Sequence, residues 1–168
     1  MSRELSREAY TSLFGATEGD RVRLGDTNLL AEIETDHTTY GDEAVFGGGK
    51  TMRDGMGMQP GTTQAEGALD YVYTNVVLID PVLGIQKGDL GVRNGEVAGF
   101  GKAGNPDTMD GVDENLIIGA STDAVPADGL IATPGAFDIH VHFNSKELFD
   151  HALASGVTTM MGGGYGGG

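Results

Sequence analysis

The spacing of apolar positions changes repeatedly along this chain, and each change predicts a new kind of structure. Residues 6–15 open with the capping-type Ser6, place Ala9, Leu13 and Phe14 at helical intervals and stop at Gly15, which predicts one short helix. Residues 21–24 and 29–34 predict two short strands on either side of the Gly25-Asp26 turn signal. From Thr35 to Glu66 the chain becomes polar and rich in glycine and methionine, with FGGGKTMRDGMGMQPGTT at its centre. It predicts a long loop, of the kind that serves function or an interface.

Strand signals then crowd together. Residues 71–80 are rich in aromatic and β-branched side chains, and residues 89–93 face 96–100 across Asn94-Gly95, the strongest short hairpin signal because both turn residues tolerate positive φ. Residues 115–119 and 129–133 add two further candidate strands, and the whole stretch predicts a small, largely antiparallel β-domain. After Thr133 the pattern becomes strand, helix, strand: residues 137–143, then 145–156 with Leu148, Ala152 and Leu153 at helical spacing, then 157–161. Two parallel strands and one crossover helix cannot shield a sheet, so residues 133–168 read as the opening of a larger α/β domain, the alternative being a complete small α+β protein with a flexible glycine tail.

Charge and composition narrow the possible partners. The 168 residues carry 25 acidic against 10 basic side chains, a formal net charge of -15, which repels phosphate backbones and anionic lipid. Nucleic acid is therefore excluded as an expected partner, and an excess of this size suits either an ordinary acidic protein or a high-salt setting where screening weakens self-repulsion. There is no cysteine, so a metal would be held by nitrogen and oxygen alone. The N-terminus has no signal-peptide apolar core and no run approaches the roughly 20 apolar residues of a membrane span, so the expectation is a soluble, cytoplasmic protein with no membrane partner.

The chemistry concentrates in GAFDIHVHF, residues 135–143. Alternation along a strand sends His140 and His142 to one face, where two imidazoles can converge on one metal ion or pair with each other in a core. Asp138 shares that face. The strand starts abruptly after Thr133-Pro134-Gly135 and carries Asp, His and His at alternate positions, and in this it resembles the first barrel strand of the amidohydrolase superfamily, whose chemistry sits at the C-terminal strand ends.

Segments upstream sharpen the resemblance. REAY (7–10), GDRVRL (19–24), TTYGDE (38–43), FGGGK (46–50), RDGMG (53–57), GKAGNPD (101–107) and SGVTTM (155–160) stand in the order of the N-terminal part of the urease catalytic (alpha) subunit. The resemblance runs from about residue 5 to about 164. It implies a mixed α/β fold: a β-rich, sandwich-like composite domain over residues 1–132, then, over 133–168, the first βαβ unit of a truncated metal-dependent (β/α)8 barrel.

The family's activity is nickel-dependent hydrolysis of urea to ammonia and carbamate. The resemblance implies that His140 and His142 hold one of two nickel ions, that Asp138 supports them, and that the remaining ligands and the catalytic histidine belong to chain that follows this point in the family. The isolated chain is accordingly expected to be inactive. Implied partners are urea, the beta and gamma urease subunits and accessory proteins, in a hetero-oligomer. Zinc amidohydrolases of the dihydropyrimidinase or dihydroorotase type share the His-x-His strand but lack GDRVRL, TTYGDE and FGGGK; a non-catalytic assembly piece is the alternative from another class. From the three glycines at 162–164 the family continues into a threonine-glycine-proline type of segment, where this chain has Tyr165 and three more glycines.

Other motifs carry less. Gly47-Gly48-Gly49-Lys50-Thr51 is not a phosphate loop, since position 44 is alanine where a Walker motif has glycine. Lys50 and Arg53 read as loop or subunit anchors, and Met52, Met56 and Met58 as gap-filling or interface residues. His37 and His151 are expected to face solvent without a metal role, and Lys146 lies too close to the strand to bridge two metals.

Overall fold

The computed structural model describes residues 4–43, 52 and 55–163. FGGGK, Arg53 and the residues after Gly163 lie outside these. The chain divides into two units, Met1–Ala132 and Thr133–Gly168.

In the first unit, α1 (Arg7–Phe14) starts where Ser6 Oγ accepts the Ala9 N–H at 3.2 Å and ends at Gly15, whose φ of 80° lets its N–H return to Thr11 O. The hairpin of β1 (Arg21–Arg23) and β2 (Leu30–Glu32) follows, then the short β3 (Thr35–Asp36). Within the polar stretch predicted as loop there is also a single 3₁₀ turn, Gln64–Glu66, closed by a capping box between Thr63 and Glu66.

A long hairpin organises the rest. β4 (Tyr71–Asp80) and β5 (Gly84–Arg93) pair antiparallel, and β5 turns through Asn94 (φ 55°) and Gly95 (φ 78°) into β6 (Glu96–Gly101), as the Asn-Gly pair predicts. Two shorter strands, β7 (Asp123–Pro126) and β8 (Ile131–Ala132), lie end to end along the outer edge of β4, while β3 and β6 do the same along β5. The expected antiparallel sheet is therefore mixed: β3, β7 and β8 all pair parallel to their neighbours. The chain reaches those outer edges by long excursions, and adjacency in sequence signals only hairpins.

The core lies against this sheet and comprises Met52, Leu69, Val72, Ala103, Leu116 and Ile118. Residues 115–119, expected as a strand, join only through isolated bridges, Ile117 to Gly104 and Gly119 to Gln59. Their alternation still aims Leu116 and Ile118 inward, both at 0% exposure. Leu116 lies over glycines of β5 and β6: a Cβ at Gly91 would stand 2.5 Å from a Leu116 methyl and 2.8 Å from a Leu69 methyl, and Cβ atoms at Gly99 and Gly101 would stand 3.4 and 3.5 Å from Leu116. Glycine at 91 is what lets the two leucines settle onto the sheet.

Charged groups are buried beneath the same sheet. Asn75 interrupts β4 at φ 57° and donates its N–H to Asp89 Oδ1 at 2.9 Å, while Asp89 Oδ2 accepts the Ala103 N–H at 2.9 Å. Burial pushes the Asp89 carboxyl up to about 6, against those two N–H bonds and the Lys87 and Lys102 charges. Lys87, at 0% exposure, donates to Phe14 O and, at 3.5 Å, to Gly15 O, covering the last carbonyls of α1. Lys102 reaches Thr39 Oγ1 (3.0 Å), Asp42 Oδ2 (2.7 Å) and Asp110 O (2.6 Å), tying the segment after β3 to the loop after β6.

Asp89 gives the stability of the chain a defined pH dependence. A carboxyl whose folded pKa lies above its unfolded value near 3.8 binds more protons folded than unfolded, so its contribution is full below about pH 4 and is lost as pH rises through 6. Denaturant titrations across this range should show the wild-type chain losing up to about 3 kcal/mol relative to an Asp89→Asn variant, whose offset does not titrate. A difference that stays flat with pH contradicts the assignment.

The second unit runs β9 (Ala136–His142), α2 (Glu147–Ala154), β10 (Val157–Gly163), with β9 and β10 parallel, as the sequence pattern predicts. Gly156 takes φ 78° after α2, and Lys146 stands at its N-cap position, while Ser145 Oγ accepts the Glu147 N–H at 3.3 Å and donates to the Glu147 carboxylate. Among the described residues every buried side chain belongs to the first unit; in the second, Ile139 is 75% and Leu153 66% exposed.

Candidate metal centre

Alternation along β9 places Asp138, His140 and His142 on one face and Phe137, Ile139 and Val141 on the other. The His140 and His142 rings approach with centroids 5.2 Å apart and planes at 61°, and their Nε2 atoms meet at 3.2 Å. The partner strand leaves room for this: Gly163 stands in register with His142, and Gly162 with Val141, so no side chain crowds the imidazoles from those positions. Asp138 turns back along the strand, its Oδ1 accepting the His140 N–H at 3.0 Å, so its carboxylate holds the backbone rather than an imidazole.

This pair can be tested against a metal ion by distance. Two nitrogens each about 2.0–2.1 Å from one ion, at an angle near 100°, stand roughly 3.2 Å apart, so the spacing is compatible with one divalent cation as well as with the N–H···N hydrogen bond that the two rings make with each other here. Among the described residues no group of three or more His, Asp or Glu side chains gathers around them or anywhere else. Two donors leave most of an ion's coordination sphere to other ligands.

The other histidines sit elsewhere. His37 is half-buried, not solvent-facing as expected: its Nε2 lies 2.9 Å from Gln86 Oε1 and its ring packs edge-on against Phe100 at 5.8 Å. The parallel pairing of β3 with β5 draws it in. His151 is exposed on the last turn of α2, and Lys146 serves as that helix's N-cap. Of the methionines, Met52 belongs to the core, Met58 packs against it, and Met56 is exposed.

Sequence reasoning missed the buried Lys87, Asp89 and Lys102. In GIQKGDLGVR, Lys87 and Asp89 alternate with other residues as a solvent-facing pair would, and only their tertiary partners show otherwise.

Fold and site together define a mixed α/β, β-rich protein whose second unit presents a histidine pair from a parallel strand. A family model described as the urease alpha-subunit N-terminal domain matches residues 3–125. Over all 168 residues the chain is 83% identical to urease subunit alpha of Haloquadratum walsbyi, covering 30% of that protein. The corresponding figures are 78% and 30% for urease subunit alpha of Natronomonas pharaonis, and 66% and 29% for that of Haloarcula marismortui. The chain belongs to the urease alpha-subunit family, and it spans less than a third of the length of these relatives. No helix among the described residues is long and apolar enough to cross a membrane.

Proposed function

We propose that this chain is the N-terminal part of a nickel-dependent urease catalytic subunit, in which residues 1–132 form the β-rich composite, sandwich-like domain and residues 133–168 begin a (β/α)8 barrel. His140 and His142 hold one of two nickel ions. The observation that carries the reading is the 3.2 Å approach of their Nε2 atoms on one strand face, in a chain whose relatives are named urease subunit alpha. When bound, nickel supplies Lewis acidity toward urea and lowers the pKa of coordinated water.

The residues of this chain have a narrower task. β9 fixes the spacing of the two imidazoles, the Asp138 carboxylate ties down the backbone at His140, and the glycines at the end of β10 keep the approach to the rings open. The remaining ligands come from polypeptide beyond these 168 residues, in keeping with the share of each relative that the chain covers. In the cytoplasmic assembly its partners are the beta and gamma subunits, accessory proteins that load nickel, and urea.

Reconstitution tests the proposal. Mixing the chain with a polypeptide covering the rest of a relative's length, in the presence of nickel and the other subunits, should restore ammonia release from urea, while the chain alone shows none. A stable complex that takes up nickel yet releases no ammonia would make the segment a scaffold instead.

A further inference from the structure

The tip of the β5–β6 hairpin carries chemistry that the proposed function does not use. The chain has six asparagines, and only Asn94 is followed by glycine. Asn75 and Asn105 are buried, at 3% and 1% exposure, and Asn105 precedes a proline, which has no amide hydrogen to lose. Asn28, Asn115 and Asn144 precede residues with side chains that shield the next backbone nitrogen. Asn94 and Gly95 are both exposed, and Gly95 offers its nitrogen without a Cβ in the way.

We propose that Asn94 is a self-modification site, and that the hairpin sets its rate. The Gly95 backbone nitrogen attacks Asn94 Cγ; the N–Cγ bond forms, the Cγ–Nδ2 bond breaks, and ammonia leaves with the proton from the Gly95 nitrogen. Water then opens the cyclic imide at either carbonyl, giving aspartate at 94 or its β-linked isomer. No oxidant or cofactor is needed.

The fold restrains this reaction through Asp70. Its N–H donates to Val92 O and its carbonyl accepts the Asp123 N–H, both at 2.9 Å, so Asp70 is fixed between β5 and β7. From there its Oδ2 accepts the Asn94 N–H at 2.6 Å and holds Asn94 in the left-handed turn conformation. Imide closure requires the backbone at 94 and 95 to reshape, so the turn must first let go of this anchor.

The two products differ in consequence. Aspartate tolerates the left-handed region and keeps the turn. The β-linked isomer adds a backbone atom to a two-residue turn, which cannot then hold Arg93 opposite Glu96. Either product also puts a new carboxylate beside Asp70 and Glu96.

Incubation of the 168-residue chain in warm, mildly alkaline buffer, beside a free peptide of residues 90–98, tests this. Peptide mass mapping and isoaspartate detection should place the amide-to-acid exchange at Asn94 first, about tenfold slower in the chain than in the peptide. Asp70→Ala should close most of that gap, and should it unfold the chain, the wild-type ratio to the peptide decides alone. Equal rates in chain and peptide, or earlier exchange at Asn144, would overturn the proposal.

Discussion

Alanine at both His140 and His142 is expected to abolish urea hydrolysis in a reconstituted, nickel-loaded enzyme containing this segment, while the first unit stays folded. The two imidazoles are the nitrogen donors that β9 presents to the proposed ion, and their Nε2 atoms stand 3.2 Å apart. Without them the ion loses two fixed ligands, and a transition-state stabilisation of several kcal/mol, about a thousandfold in rate or more, goes with it. Two readouts separate this from a folding defect: nickel bound at equilibrium dialysis falls, and the denaturant midpoint of the whole reconstituted enzyme, the second unit included, does not move. Asp138→Asn serves as the graded control. Its oxygen can still accept the His140 N–H, so nickel retention should change less than tenfold, within the range of a supporting residue. Undiminished ammonia release from the double alanine variant would remove the metal assignment.

Leu116→Ala is the largest expected stability loss. Its side chain is at 0% exposure over the Gly91, Gly99 and Gly101 positions, and truncation of such a leucine costs about 2–5 kcal/mol. Gly91→Ala damages the same place from the opposite side, pressing a methyl against Leu116 and Leu69, at about 1–3 kcal/mol. The two changes share one space, so the double variant should be more stable than the sum of the singles predicts, by about 0.5–3 kcal/mol. Recovery stays partial because the added Cβ still meets Leu69 at 2.8 Å. Strict additivity in chemical denaturation would mean that the leucine does not lie over this glycine.

These two sites also mark what the amino-acid pattern discloses. α1, the Asn94-Gly95 turn, β4 and the strand-helix-strand of the second unit are encoded by neighbours: a cap and its glycine, a turn pair, a run of β-branched residues, a change of period. The histidine pair is legible for the same reason, since a period of two dictates a shared face. What escapes is whatever depends on distant partners. Residues 115–119 alternate as a strand does, yet among the described residues they pair only through isolated bridges, and β7 has no signal until β4 offers its edge. Lys87 and Asp89 look like a wet strand face until α1, Asn75 and Ala103 close over them. A metal site drawn from several strands would spread its ligands in the same way, and one strand would disclose only its own.

The confinement, among the described residues, of buried side chains to the first unit bears on how the chain is made. β8, the last strand laid against β4, ends at Ala132, so the six-stranded sheet cannot close until that residue has cleared the ribosome. From then on, every described residue that packs into the buried cluster of the first unit has been synthesised. The histidine strand emerges after that point, with the larger part of its apolar surface still wet. Translation thus delivers the sheet and its core first and a strand-helix-strand with exposed apolar side chains second, and that exposed segment is where a nascent chain of this design would be most in need of a chaperone.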